Sequence, residues 1–184
     1  MKRILFIVIL GIIIACSSSN QKKEENFDGF SICIPDNWLK VSSNGIDSKV
    51  TVLVTNENDT VFINYGKSVR GFTETVIVNS LQSKIHFDSL DWPYRSEMIF
   101  SKDATVEERQ GIFLREYYRY DTIDGKRAKI MVPKLFGKGS TGIHFDSLNR
   151  RGEKLTIVGN NLNQITQDQL YKSFYTISFD EAND

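Results

Sequence analysis

The chain has 184 residues, and its 23 basic and 23 acidic side chains leave no net charge. That balance gives no electrostatic reason to expect a nucleic-acid partner. Aromatic residues make up 11% of the sequence and apolar residues alternate along much of it, which excludes an intrinsically disordered chain.

The N-terminus has the layout of a secretory signal peptide. Lys2 and Arg3 form a basic start, and an apolar run follows from residue 4 to residue 15, broken only by Gly11. The run is shorter than the ~20 apolar residues of a permanent transmembrane helix. The tetrapeptide I-I-A-C that ends at Cys16 resembles the lipobox of bacterial lipoproteins. The resemblance implies that residues 1–15 are removed and that Cys16 becomes the lipidated first residue. The alternatives are a plain signal peptide, or a buried N-terminal strand with an incidental cysteine.

A polar segment follows the cysteine. Residues 17–26 read S-S-S-N-Q-K-K-E-E-N and contain no apolar side chain, so they predict a flexible tether over residues 16–26. Residues 27–184 then form a single domain, and a mature chain with 21 basic and 23 acidic residues carries a net charge of about −2. Ser17 stands where inner-membrane lipoproteins of Gram-negative bacteria carry Asp. The resemblance therefore implies an outer-membrane lipoprotein of the cell envelope, on the periplasmic side or at the surface.

The second cysteine, Cys33, has no partner once Cys16 carries lipid, so no intramolecular disulfide is expected. It lies in the strand-like sequence F-S-I-C-I-P, where it is interpreted as a small, half-buried hydrophobic residue. The alternative is a catalytic thiol, which would need a nearby base that the local sequence does not supply.

Alternation of apolar residues, together with turn residues between the segments, predicts most of the strands. Val50, Val52 and Val54 share one parity, Trp38 is expected in the core, and Asp124-Gly125 is typical of a hairpin turn. The predicted strands are 29–34, 49–55, 60–65, 97–100, 112–120, 127–132, 141–145 and 154–158.

Two helices are expected. Helical spacing of apolar residues favours a helix over residues 73–89, capped by Thr73 or Thr75, although the β-branched residues 75–78 would also suit a strand. A capping box formed by Thr166 and Gln169 predicts the start of a C-terminal helix. Residues 101–110 are interpreted as a solvated loop. The order of elements predicts the α+β class, with an antiparallel sheet meander and helices packed on it.

The same order resembles the PsbP/Mog-like domain. The matching residues are Phe30–Pro35 with Trp38 at the start, and Lys172-Ser173-Phe174 with Ile177 and Phe179 at the end. The resemblance spans about residues 27–180 and implies an α/β/α sandwich. It also implies a non-enzymatic accessory or binding role, and it supplies neither catalytic residues nor metal ligands.

The hexapeptide I-H-F-D-S-L occurs at residues 85–90 and again at 143–148, and the two copies hold both histidines, His86 and His144. A joint metal or acid–base site would require the copies to meet, because zinc needs three or four ligands. The sequences flanking the copies differ, which gives no evidence of an internal repeat. The interpretation preferred here places the first copy at a helix end and the second in a strand.

One strand carries a candidate binding face. Alternation places Arg115, Tyr117 and Arg119 on one side, and Arg and Tyr are favoured in protein interfaces. The alternative is a covered or solvated sheet face. The nearby segment G-K-G-S-T-G, residues 137–142, lacks the spacing of a phosphate-binding loop and is interpreted as a turn leading into a strand.

Three functions follow from these residues. The preferred one is a non-enzymatic envelope lipoprotein without cofactors or metal, held to the membrane by Cys16 and binding an envelope protein. The second is a carrier of lipid or another small ligand, which would need a sizeable apolar cavity between sheet and helix. The third is an envelope hydrolase, which would need Cys33 or both histidines in one cleft.

Overall fold

The computed structural model describes residues 22–44, 48–93 and 98–180, so residues 1–15 and Cys16 lie outside the described part. Within these ranges, no helix combines the length and the apolar character needed to cross a bilayer. In chain order the elements are β1 Lys22–Phe27, β2 Phe30–Pro35, β3 Leu39–Asn44, β4 Lys49–Val54, β5 Thr60–Gly66, β6 Val78–Ser80, α1 Leu81–Ser89, β7 Ile99–Ser101, α2 Ala104–Arg109, β8 Glu116–Ile123, β9 Lys126–Pro133, β10 Ser140–Phe145, β11 Lys154–Asn160, α3 Gln164–Phe174 and β12 Ser178–Phe179.

The centre of the fold is a seven-stranded antiparallel sheet with the order β3-β4-β5-β11-β10-β9-β8. Strand β11 pairs with both β5 and β10, which joins the two hairpin-connected halves of the sheet. The predicted turn at Asp124-Gly125 is confirmed. Both residues have positive φ, 46° and 71°, and Ile123 pairs with Lys126. The strand predictions and the α+β class are therefore confirmed in outline.

One face of this sheet carries the main core. The core row runs across five strands as Ile130, Ile143, Ile157, Ile63 and Thr51. Helix α3 and a small sheet of order β1-β2-β12 cover this face, and α3 contacts both β2 and β10. Phe30, Ile32 and Ile34 alternate along β2 and are buried, as are Leu170 and Phe174 of α3. The expected core position of Trp38 is confirmed, because its side chain is fully buried.

The second face of the sheet is covered only in part. A segment of residues 69–74, here named the strap, crosses strands β8 to β11. Its carbonyl groups accept three hydrogen bonds: from Tyr118 Oη to Thr73 (2.9 Å), from Lys129 Nζ to Phe72 (2.9 Å) and from Thr156 Oγ1 to Arg70 (3.1 Å). Gly142 lies under the Phe72 ring, where an added Cβ would stand 2.6 Å from the ring. The strap stops short of β3, β4 and β5, and within the described residues Leu39, Val41 and Phe62 are exposed on the second face of these strands.

The tether prediction is wrong for residues 22–26, which belong to β1. The strand pairs along its whole length with β2, from Lys22 opposite Pro35 to Phe27 opposite Phe30. A backbone ladder, rather than burial of apolar side chains, holds these residues. Lys40 adds to it by donating to the Asn26 carbonyl at 2.8 Å. Charged side chains on such an edge strand also keep it from pairing with another chain.

The helix predicted over residues 73–89 is half wrong. Helix α1 begins at Leu81 and is capped by Ser80, whose hydroxyl accepts the Ser83 N–H at 3.1 Å. Residues 73 and 74 have no regular structure and contact the sheet through the Tyr118 and Lys129 side chains. The β-branched residues that follow lead into β6 rather than into a helix turn. Residues 101–110 contain α2 and are not simply a loop. Strand β6 pairs in parallel with β7.

The cap of α3 also differs from the prediction. The helix starts at Gln164, and the Asn163 side chain accepts the Thr166 N–H at 2.9 Å. Thr166 therefore lies inside the first turn, and its side chain is buried instead of capping the helix.

Replacing Asn163 with Ala should lower the free energy of unfolding by about 1 kcal/mol, because a helix N–H loses its acceptor. Urea denaturation measures the change. The matched control is Gln164→Ala at the exposed next position, which should stay within about 0.5 kcal/mol of the parent. Equal losses for the two variants would contradict the assignment of the cap.

Candidate functional site

The two copies of I-H-F-D-S-L adopt different structures, as expected. His86 lies exposed in the last turn of α1, whereas His144 is buried on β10. In the ranges that the structure describes, no three His, Cys, Asp or Glu side chains come together as potential metal ligands. The weak metal candidates His86 and His144 thus gain no further ligands there.

His144 takes part in the contact between the sheet and the strap. Its Nδ1 lies 2.7 Å from Thr156 Oγ1, and that hydroxyl donates its proton to the Arg70 carbonyl. Because Thr156 has only one proton to donate, its oxygen must accept from His144, which places the proton of the neutral ring on Nδ1. The other ring nitrogen, Nε2, stands 3.6 Å from Asp146 Oδ1.

The electrostatic setting keeps this imidazole neutral. Burial lowers the pKa of His144 below its ordinary value of 6.5, and the Asp146 carboxylate opposes that shift. Asp146 is itself paired with Lys154 at 2.8 Å, which helps to hold the pKa of this carboxyl below its usual value. A pocket of about 450 Å³ beside the ring is lined by Tyr120, Arg127 and Lys129 among others. Lys129 forms an ion pair with Glu74 of the strap at 2.7 Å.

Cys33 lies in a different layer of the molecule. It is half-buried on β2, as expected, and its backbone N–H donates to Thr176 Oγ1 at 2.9 Å. Strand β2 covers the core face of the central sheet, whereas His144 points from the second face. The sheet therefore stands between this thiol and this imidazole, and the two do not share a cleft.

A polar cleft of about 1060 Å³ lies at the end of the sheet where the β8–β9 and β10–β11 connections meet. On its wall, Glu153 accepts hydrogen bonds from the Asn149 amide at 2.5 Å and the Tyr65 hydroxyl at 2.7 Å. These two bonds lower the pKa of Glu153. Burial and the same carboxylate raise the pKa of Tyr65. The charged groups lining the cleft are Asp28, Asp124, Lys126, Arg150, Arg151, Glu153 and Asp180. This mixed lining differs from the apolar cavity that a lipid carrier would need.

The three residues of the predicted binding face, Arg115, Tyr117 and Arg119, do not form one common surface in the structure. Strand β8 begins one residue after Arg115, and Tyr117 and Arg119 lie opposite Val132 and Ile130 of β9. Cross-strand partners share a face, so Tyr117 and Arg119 lie on the same side as the core. The shared side of Tyr117 and Arg119 is therefore the core side of the sheet, and Arg115 lies outside the strand.

Arg119 is partly exposed, and its side chain also contacts residues at the end of α3. Its guanidinium donates to the hydroxyls of Tyr171 and Tyr175, and Tyr175 also donates to Asp121 at 3.1 Å. These contacts tie the last turns of α3 to the sheet edge. Arg115 and Tyr117 remain exposed, Tyr117 to 65%. Their neighbour is the β9–β10 loop, where the Lys134 N–H donates to the Arg115 carbonyl at 2.9 Å.

An apolar surface that the sequence did not assign lies on the second face of β3, β4 and β5. It is named here the open face and comprises Leu39, Val41, Val50, Val52, Val54 and Phe62. Leu39 is 64% exposed and Val41 51%, and the three valines of β4 are half-buried. The shared parity of these valines is the sequence signal for this surface. It does not reveal that Leu53, at the opposite parity, faces the core.

The fold and these surfaces define an α+β domain with a polar cleft at one end and an open apolar half-face. Comparison with known protein families finds no family model that matches the chain, and comparison with curated proteins finds no significant match.

His144 should make the stability of the fold sensitive to mild acid. The unfolded chain takes up a proton near pH 6.5 while the folded chain resists it, so stability falls as the pH is lowered through that value. His144→Asn keeps an N–H for Thr156 and should flatten the loss of unfolding free energy between pH 7.5 and 5.5, measured in urea. Asp146→Asn removes the carboxylate that favours the protonated ring and should steepen it. Identical slopes in parent and both variants would contradict this account.

Proposed function

We propose that this chain is a lipid-anchored lipoprotein of the cell envelope. It is held by Cys16 and acts as a non-enzymatic binding module for a protein partner. The order of a basic start, an apolar run, a small residue and Cys16 supports the anchor. The domain begins its first strand at Lys22, six residues after that cysteine, which leaves a short connection to an outer-membrane surface.

We propose the PsbP/Mog-like domain as the finer class on the strength of its sequence motifs. An α/β/α sandwich would have helices on both faces of the sheet, whereas the described residues place α3 on the core face and the strap on the second face. The F-S-I-C-I-P sequence forms β2, and the Trp38 that follows is fully buried. The closing S-F sequence ends α3, where Phe174 is fully buried against the sheet. The matching motifs thus lie together in the layer that covers the core face.

The open face is the observation that carries the binding role. Exposed apolar surface that is contiguous, rather than scattered, is typical of protein interaction sites. Here it forms a row across neighbouring strands, in which Val41 pairs with Val52 and Val52 pairs with Phe62. Charged side chains are absent from these three positions, so a partner with an apolar surface fits best. The surface also reaches β3, the edge strand, whose free side could align a partner segment.

The anchor is tested on the mature protein. Mass spectrometry of the N-terminal peptide should find an acylated Cys16 as the first residue, and the protein should fractionate with membranes. Cys16→Ser should lose the acyl group and shift the protein out of the membrane fraction. Retention of the variant in membranes, to the same extent as the parent, would contradict the lipoprotein assignment.

The open face is tested by photo-crosslinking in intact membranes. A photoreactive amino acid at position 41 should capture a specific protein, whereas the same group at exposed Ile77, outside this surface, should not. Val41→Asp should weaken co-purification of that protein by roughly tenfold or more, as expected for a central interface residue. Ile77→Asp is the matched control. The proposal fails if positions 41 and 77 capture the same proteins, or if neither captures any.

A further inference from the structure

The β9–β10 loop, residues 134–139, presents two large apolar side chains to solvent. Leu135 is 64% exposed and Phe136 59%. The Lys138 N–H closes a tight turn on the Leu135 carbonyl at 3.1 Å, and Gly137 takes the positive φ of 71° that this turn requires. The two side chains therefore stand at the tip of a defined turn.

The base of the loop is fixed on both sides. On one side the Lys134 N–H donates to the Arg115 carbonyl at 2.9 Å. On the other, the Gly139 N–H donates to Asn161 Oδ1 at 3.0 Å, and the Gly139 carbonyl accepts the Asn161 N–H at 2.7 Å. These bonds fix both ends of the loop, and Leu135 and Phe136 are exposed between them.

Basic residues lie next to the apolar tip. Lys134 and Lys138 flank it in the sequence, and Arg115 lies beside its base. The Lys134 ammonium donates to the Gly111 carbonyl at 3.0 Å and stands 5.4 Å from the centre of the Tyr117 ring, so Lys138 and Arg115 are the cations considered for lipid. The nearby carboxylate of Glu116 accepts the Ser140 N–H at 3.1 Å, which engages it with β10. An apolar tip with an exposed tyrosine and a basic surround matches the interface of an anionic bilayer, where apolar groups enter the headgroup region and cations meet lipid phosphates.

The topology places this loop at the end of the sheet from which the N-terminal segment departs. Strand β1 begins opposite Pro35, and a turn closed by the Trp38 N–H on the Pro35 carbonyl leads directly to Leu39. Leu39 pairs with Val54, at the same end of the sheet as the pair of Ser140 and Asn160 beside the loop.

We propose that the β9–β10 loop is a second membrane contact, which inserts Leu135 and Phe136 among anionic lipid headgroups and uses Arg115 and Lys138 to bind phosphate. It adds to the proposed lipid anchor and is separable from it. Two projecting side chains are too small a surface for a typical protein interface of about 800 Å² per partner. They suit a reversible contact with a surface that is already held close.

The test uses the full-length lipidated protein on vesicles of phosphatidylcholine with 30% phosphatidylglycerol, or of phosphatidylcholine alone. An environment-sensitive fluorescent amino acid replaces Phe136, and in a control protein it replaces exposed Ser147 at the opposite end of the sheet. Position 136 should shift to the blue on anionic vesicles, less on neutral ones, and less again in 0.5 M salt because salt screens the attraction. Position 147 should not shift.

Variants that remove a positive charge test the role of the basic side chains quantitatively. Arg115→Gln and Lys138→Gln should each lower the ratio of inserted to exposed probe roughly fivefold on anionic vesicles. The matched control Lys172→Gln, near the end of α3, should leave it unchanged. An unshifted probe at position 136, or a shift that is equal on both vesicle types and insensitive to these variants, overturns the proposal. Co-flotation of protein with vesicles reports the lipid anchor in the same samples, so failure of the anchor is seen separately from failure of the loop.

Discussion

The central sheet carries apolar side chains on both faces, and within the described residues the core face is covered over most of its area while the second face is covered only in part. Burying a large aliphatic side chain stabilises a fold by roughly 1.5–3 kcal/mol, so each face of a seven-stranded sheet needs a cover of its own. On the core face, α3 and the small sheet supply it, and Ile143, Ile157 and Trp38 are fully buried beneath them. On the second face, the part of the chain that the structure describes provides the strap, which reaches four of the seven strands. The open face lies on the three strands that the strap does not reach.

The strap differs from the other cover in how it is held. It has few apolar side chains, and its carbonyl groups are instead satisfied by Tyr118, Lys129 and Thr156 of the sheet. Polar groups under a cover need partners of this kind, because a buried donor or acceptor without one costs about 1–3 kcal/mol. His144 completes the set by donating to Thr156, and its imidazole makes a T-shaped contact with the Phe72 ring. His144, the histidine of the second hexapeptide copy, thus has a structural role in the hydrogen bonds that hold the strap to the sheet. Burial opposes protonation of its imidazole.

Alternation predicted the strands well where apolar side chains alternate with polar ones, as in β5, β9 and β11. It failed where backbone pairing alone makes the strand. The residues of β1 are almost entirely charged or amide side chains, and nothing local distinguishes them from a tether; the ladder to β2 decides their structure. Parity was ambiguous on β8, which carries tyrosines at both parities, and only its pairing with β9 shows that Tyr117 shares the side of Ile130. The α3 cap was misplaced because Asn163 and Thr166 are both good capping residues, and tertiary packing buries the second.

The candidate surfaces were harder to predict from the sequence than the strands were. Val50, Val52 and Val54 have the pattern of a core strand, and their exposure depends on where the strap ends, fifteen residues or more along the chain.

The proposed membrane contact would place these surfaces at defined positions relative to the bilayer. With the β9–β10 loop and the start of β1 toward the lipid, the strands run away from the membrane, and the polar cleft beside Glu153 lies at the far end. The open face then stands along the side of the domain at β3, β4 and β5. A partner bound there would lie beside the domain, with its contact beginning close to the bilayer at Leu39 and extending outward along β3 and β4. Under the proposed lipid anchor, an envelope protein that itself projects from the membrane would have that geometry, because two neighbours anchored in one bilayer meet side by side.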